Sequence, residues 1–318
     1  MELIQYEFMQ RALVAALLVG LTAPVVGTFL VQRRLSLVGD GLGHVALAGV
    51  AAGALTATSP VWTALVAAVG AGVVIELLRS RGRTSGDVAL AVMFYGGIAG
   101  GVVLISLAPT SRSVNLAGYL FGAITTTTRS DLVVFAVLAV LVLAAVLVLA
   151  PRLFAVSNDE EFARASGMPV LPLNLLLAVL TAVTVVVSMR VIGLLLISAL
   201  MIVPNAVAQR VARSFTGTLV IAVVVGVVCS VAGVVASYHL DTPSGGTVVL
   251  LAIAVFMVTA FITWLRGIVA ARRDPYAEYH PHEHGPGCEH EAVPHDDHVD
   301  YVHHGHRHAP HRGHYDEH

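Results

Sequence analysis

The stretch Gln32-Arg33-Arg34-Leu35-Ser36-Leu37-Val38-Gly39-Asp40-Gly41-Leu42-Gly43-His44-Val45-Ala46-Leu47-Ala48-Gly49 decides how the chain is read. It sets a pair of arginines, then an acid and a histidine four residues apart, between two long apolar runs. The arginines mark a water-facing edge, and Asp40 and His44 lie beyond it in a segment that reads as lipid-embedded. On a helix, residues at i and i+4 share a face, one turn apart. A carboxylate and an imidazole so placed can share one divalent cation through an oxygen and a nitrogen. A charge at mid-membrane costs about 2.5–3.5 kcal/mol even on insertion scales, so an ionisable residue there is functional by default. Two readings remain for the pair: a transport site for metal, or a mutual hydrogen bond with no metal. A site of two protein ligands is open, where structural zinc closes with four, and a conducting site must release its ion.

Outward from this stretch the chain is apolar throughout. Of its 318 residues, 57% are hydrophobic and 12% charged, against about 25% charged in soluble domains. The expected fold is all-α and polytopic, with about eight or nine membrane-spanning helices at 12–31, 41–58, 61–78, 88–107, 132–149, 171–188, 192–208, 218–238 and 247–265. The second is short for the roughly 20 residues a span needs. Residues 114–124 are too short to cross and read as an interfacial or half-membrane helix. With nine spans, arginine bias puts Arg33, Arg34, Arg79, Arg81, Arg83, Arg152, Arg164, Arg210, Arg213, Arg266, Arg272 and Arg273 inside. Arg11, Arg112, Arg129 and Arg190 then fall outside. The protein is expected in the inner or plasma membrane, contacting lipid, with its C-terminus cytoplasmic. There is no lysine, so the chain lacks the P-loop lysine that holds nucleotide phosphates. It is expected not to be an enzyme and to have no ATPase site of its own; if it drives transport with ATP, another chain hydrolyses it. No nucleic-acid partner and no permanently bound cofactor are expected.

Small-residue faces such as Gly49 to Gly53, and Gly96, Gly97, Gly100 and Gly101, read as helix-packing surfaces. Glu76, Asp87 and Asp131 sit at span ends near Arg79, Arg83 and Arg129 and read as paired boundary charges. Cys229 reads as a small buried hydrophobe. Residues 157–167 read as a short water-exposed helix. Its cap is Ser157 with Glu160, or Asn158 with Glu161, and it stops at Gly167 before Pro169. That segment is either an ordinary connection or a knob for a cytoplasmic partner. His239 and Asp241 lie in an outer loop, where they either receive metal or are simply solvated beside the turn residues Pro243, Gly245 and Gly246.

From Asp274 the composition changes. The last 45 residues hold 13 of the 15 histidines and few aliphatic side chains, too little apolar surface to fold alone. Residues 1–266 are therefore expected to form the transmembrane domain and 267–318 a disordered His-rich cytoplasmic tail. His280, His282 and His284, and His303, His304, His306 and His308, with Asp296 and Asp297, suit zinc, nickel or copper better than manganese. The tail either buffers or reports metal, or is a low-complexity end with incidental affinity.

Residues 26–45, Val26-Gly27-Thr28-Phe29-Leu30-Val31-Gln32-Arg33-Arg34-Leu35-Ser36-Leu37-Val38-Gly39-Asp40-Gly41-Leu42-Gly43-His44-Val45, resemble the signature of the permease subunits of bacterial zinc/manganese ABC importers. So do Glu160-Glu161-Phe162-Ala163-Arg164-Ala165-Ser166-Gly167, the glycine-to-proline run at 191–204, and the loop at 237–246. The resemblance covers residues 8–266. It implies a homodimer served by cytoplasmic ATPase subunits and an extracytoplasmic metal-binding protein. It also implies that Asp40 and His44 hold the metal in transit, and that Glu160, Glu161, Phe162 and Gly167 belong to a coupling helix. Glycine stands at 41 and 43 where that family has serine or alanine, which loosens the helix by up to about 1 kcal/mol each. Asn205 replaces alanine; it either adds an amide oxygen to the path or bonds a neighbouring helix. The function expected first is an ATP-driven zinc importer, and second a manganese or iron importer of the same build. A proton-driven secondary carrier working through Asp40, Asp87 and Asp131 is the alternative of a different class.

Overall fold

The structure, a computed structural model, describes residues 6–81, 86–108, 116–122, 128–189, 192–194, 196–273, 277–278, 290–295, 298–303, 306–311 and 314–317. Its helices are α1 (Glu7–Gln32), α2 (Val38–Thr56), α3 (Pro60–Ser80), α4 (Gly86–Leu107), α5 (Leu116–Phe121), α6 (Arg129–Asn158), α7 (Glu160–Ala165), α8 (Val170–Ser188), α9 (Ile197–Val211), α10 (Phe215–Leu240) and α11 (Ser244–Arg273). Among the described residues eight of these are long and apolar enough to cross a membrane. The helices α3, α4, α6, α10 and α11 turn large apolar side chains outward, among them Val66, Val92, Val148, Val224 and Leu250. Exposed apolar faces of this extent fit lipid or another protein surface, not water. The chain is a multi-pass membrane protein.

The ends of the helices sort into two levels. At one, Glu7 of α1 pairs with Arg129 of α6 at 2.8 Å, and Phe8 lies against Tyr238 of α10. At the other, Arg33 after α1 pairs with Glu160 of α7 at 3.1 Å. There Phe215, opening α10, meets Phe29 of α1 and Phe154 of α6. Thus α1, α6 and α10 run the full depth of the bundle. Short turns make α2 and α3 the next two passes.

The expected span at 192–208 forms only in part. The helix is 15 residues long, Ile197–Val211. Gly193 ahead of it has φ +93°, which ends any helical run. The Leu194 N–H donates instead to the Tyr119 carbonyl in α5, at 2.9 Å. Irregular backbone at membrane depth is tolerated where protein surrounds it, and Ile192 and Leu194 are buried. This broken segment and α9 make the return from the end of α8 to the start of α10, so nine passes survive with eight long helices. The 114–124 piece contributes only α5, six residues long.

Contact between α1 and α9 is backbone-close. A Cβ on Gly27 would fall 1.9 Å from the Met201 carbonyl oxygen. Asn205 of α9 lies beside it, donating to Met201 O at 2.8 Å and Pro24 O at 3.0 Å, and accepting from Thr28 at 2.7 Å. Of the two roles open to Asn205, the structure shows bonding to the neighbouring helix. Gly27→Ala is expected to force α1 and α9 apart. Overpacking typically costs about 1–3 kcal/mol. The variant should lower the thermal midpoint of the detergent-purified protein, whereas Gly246→Ala, with open space around its Cβ, should leave it unchanged.

The cap of α7 differs from the expected one. α6 continues through Pro151 as far as Asn158, so Ser157 and Asn158 are helical and not free to cap. Asp159 caps α7, accepting from the Phe162 N–H at 2.9 Å. Gly167 ends the turn at φ +78°, with the Gly167 and Met168 N–H groups donating to Arg164 and Ala163. Of the boundary charges, Glu76 pairs with Arg79 at 3.0 Å. Asp131 serves as the acid of a capping box with Thr128 at the start of α6. The pairing of Asp87 with Arg83 lies outside the described side chains.

The chain divides into two compact units, residues 1–259 and 260–318. In the second, α11 runs on to Arg273, and five short antiparallel strands follow among the described residues: β1 (Ala277–Glu278), β2 (Glu291–His295), β3 (His298–His303), β4 (His306–His311) and β5 (His314–Glu317). They lie in the order β1-β5-β4-β3-β2. Pairing satisfies the backbone, and Asp300, His308 and Ala309 are buried among the described residues.

Candidate metal site and the charge cluster at the Glu160 end

The backbone turns from α1 into α2 at Arg34, whose φ is +59°. Asp40 stands in the first turn of α2 and His44 one turn further in. The helix is unbroken between them, so the two side chains stack on one side as the spacing requires. His44 is 8% exposed, and its ring meets the Phe94 ring of α4 edge-on at 4.3 Å. A Cβ on Gly97 would fall 2.6 Å from the His44 backbone. Gly97 lies at the midpoint of α4 (Gly86–Leu107), so His44 sits halfway through that pass. Asp40 is half-buried and accepts from the Ser198 hydroxyl in the first turn of α9 at 3.4 Å. Among the described residues no third His, Cys, Asp or Glu joins this pair. The side chains offer one carboxylate and one imidazole, with a hydroxyl beside the carboxylate. Such a set can hold a divalent ion loosely and let it go.

Sequence reasoning missed Ser198 and Phe94. Ser198 lies in the 191–204 run, yet only the break at Gly193 brings α9's first turn to Asp40. Phe94 carries no polar signal at all.

Below the pair lies a cluster of charges. Glu160 of α7 accepts from Arg33 at 3.1 Å and from Arg164 at 3.0 Å, with Arg79 of α3 at 3.6 Å. Arg79 in turn donates twice to the nearly buried Glu76, at 3.0 and 3.1 Å. The Arg33 side chain is 5% exposed. Burial pulls its pKa below the ordinary value and Arg79 adds to this, while Glu76 and Glu160 pull it back. The guanidinium keeps its charge and needs both carboxylates. Glu161 and Phe162 are exposed, Phe162 at 66%, and among the described residues Glu161 makes no ion pair.

His239 and Asp241 are exposed where α10 ends. The His239 ring lies against Tyr238, and Asp241 closes the helix in a left-handed conformation. Neither joins a cluster of three ligand atoms among the described residues. In the tail, His303 faces His306 across β3 and β4 and His308 is buried. His280, His282, His284 and His304 lie outside the described residues.

Among the described residues, a bundle of eight long apolar helices and one broken pass carries an acid and an imidazole one turn apart on α2, with a short capped helix tied by charge to one end, and this is the build of a membrane permease. The chain belongs to the ABC 3 transport family, whose model matches residues 5–263. It is 30% identical over 268 residues to a manganese transport system membrane protein of Halalkalibacterium halodurans, covering 84% of this chain and 91% of that one. It is 32% identical to a chelated iron transport system membrane protein of Yersinia pestis over 257 residues, covering 81% and 86%. Among solved structures it resembles PsaBC from Streptococcus pneumoniae in complex with Fab. The TM-score is 0.73 at 30% identity, over 81% of this chain and 93% of that chain.

Proposed function

We propose that the protein is the permease subunit of an ATP-driven importer of a divalent transition metal, with Asp40 and His44 as the ligands in transit. The observation that carries this is the half-buried Asp40 and, one turn further in, the buried His44 level with the middle of α4, in a chain of the ABC 3 transport family. Two copies form the pathway, cytoplasmic ATPase subunits supply the work, and an extracytoplasmic binding protein delivers the ion. The Glu160 end faces the cytoplasm, in keeping with the arginine bias, and the exposed Phe162 on α7 is where an ATPase subunit docks. His239 and Asp241, on the opposite face, are the residues placed to meet the binding protein. An ABC permease has no need of the proton-driven mechanism.

Zinc is the first reading for the metal, supported by His44 and the His-rich tail. Manganese or iron is the second, favoured by the names of the relatives above. Competitive uptake decides between them. Cells or proteoliposomes containing the whole transporter are given zinc and manganese isotopes together. Preferential zinc accumulation is the expected result, and manganese uptake indifferent to excess zinc would overturn it. No ATP-dependent uptake of any divalent metal would overturn the importer reading itself.

A further inference from the structure

We propose that His295, His298 and Asp300 form a second divalent-metal site, in the tail and separate from the transport pair. The three come together by strand geometry. β2 and β3 make an antiparallel hairpin in which His295 lies directly opposite His298, so both side chains leave the same face. Asp300, two residues along β3, shares that face with His298. None of the three belongs to the histidine runs at 280–284 and 303–308 that draw the eye in the sequence.

The distances suit a metal better than a hydrogen-bonded cluster. One ligand atom from each residue lies within 4.8 Å of the other two. His295 Nδ1 is 3.4 Å from Asp300 Oδ2, and His298 Nε2 is 3.2 Å from Asp300 Oδ1. Zinc bonds of about 2.0–2.2 Å at a tetrahedral centre set neighbouring ligand atoms about 3.3–3.6 Å apart. Asp300 is 0% exposed, and neither of its oxygens is hydrogen-bonded by a described residue. A carboxylate buried without hydrogen bonds is costly unless a positive charge compensates it. A divalent ion between the three groups supplies that charge, with water as the fourth ligand. Two imidazoles and one carboxylate suit zinc, cobalt or nickel better than manganese. The competing account is that two protonated histidines hold Asp300 and no metal binds.

Cobalt(II) distinguishes these accounts, because tetrahedral and octahedral cobalt differ in visible absorption. The full chain, carrying Asp40→Ala and His44→Ala to silence the transport pair, is titrated with cobalt chloride. One tetrahedral equivalent per chain is expected. His295→Ala and Asp300→Asn should each weaken it at least about tenfold, the scale on which even outer-shell changes act. The double variant His303→Ala/His304→Ala should retain it. His295 is partly exposed at the hairpin end, so its truncation leaves the strands intact should Asp300→Asn disturb them. The proposal is overturned if no tetrahedral band appears. It is equally overturned if the band survives both single variants, or if the control double variant loses it to the same extent. Uptake by the chain with Asp40 and His44 intact is a separate readout, so this site and the transport reading can fail independently.

Discussion

Asp40→Ala should reduce metal uptake to the level of vesicles lacking the transporter, a loss of roughly 100-fold or more. Changes to groups that merely orient metal ligands cost about 10–100-fold, and Asp40 is itself a proposed ligand, one of the pair on α2. The fold should survive. Asp40 is half-buried and its one hydrogen bond to another side chain is the 3.4 Å contact from Ser198, so truncation removes a charge without opening the packed core of α1, α8 and α9. The variant is therefore expected to reach the membrane, pair with its ATPase subunits and hydrolyse ATP at the basal rate. His44→Ala should show the same transport loss with some loss of stability, since it also removes the ring packed on Phe94. Uptake measured beside complex recovery separates the effects, and normal uptake by Asp40→Ala removes the site assignment. Ser198→Ala offers a graded comparison: a hydroxyl beside the carboxylate orients it, so uptake should fall by about tenfold, less than for Asp40→Ala.

How much of this was legible beforehand follows from which forces act locally. The helices were legible because a membrane span is written in about 20 successive residues, and the Asp40–His44 stack because helix periodicity is local. The stop of α7 at Gly167 was legible for the same reason. Its cap was not: whether α6 ends before Ser157 or after Asn158 depends on tertiary packing, where Val156 and Ser157 are buried. The break at residue 193 was hidden because Gly193 sits in an otherwise apolar run, and its cause is the distant Tyr119 carbonyl. The third contact of the site, Ser198, depends on that break. In the tail, composition hides the pairing register. His295, His298 and Asp300 gather only because His295 opposes His298 across the hairpin; the denser histidine runs elsewhere say nothing about that.

Glu160→Gln should uncouple ATP hydrolysis from transport, lowering metal moved per ATP by about tenfold, equivalent to about 1.4 kcal/mol of lost coupling. The argument starts from the chain connecting α7 to the metal pair. Glu160 holds Arg33, Arg33 leads through the turn at Arg34 into α2, and Asp40 lies seven residues on from Arg33. A push on α7 is then expected to pass through this half-buried charge pair to the start of the helix that carries Asp40 and His44. Arg79 and Glu76 tie α3 to the same point, so α1, α2 and α3 move together. Glutamine keeps the size and one acceptor of Glu160 but removes the charge that compensates the buried Arg33. Losing one partner of such a pair is costlier than losing an exposed one. Glu161→Gln, at an exposed position without an ion pair among the described residues, should leave coupling within about twofold of normal. Parallel measurements of ATP hydrolysis and uptake in proteoliposomes check both variants. If Glu160→Gln couples as well as Glu161→Gln does, the charge cluster is structural and the push reaches α2 by another route.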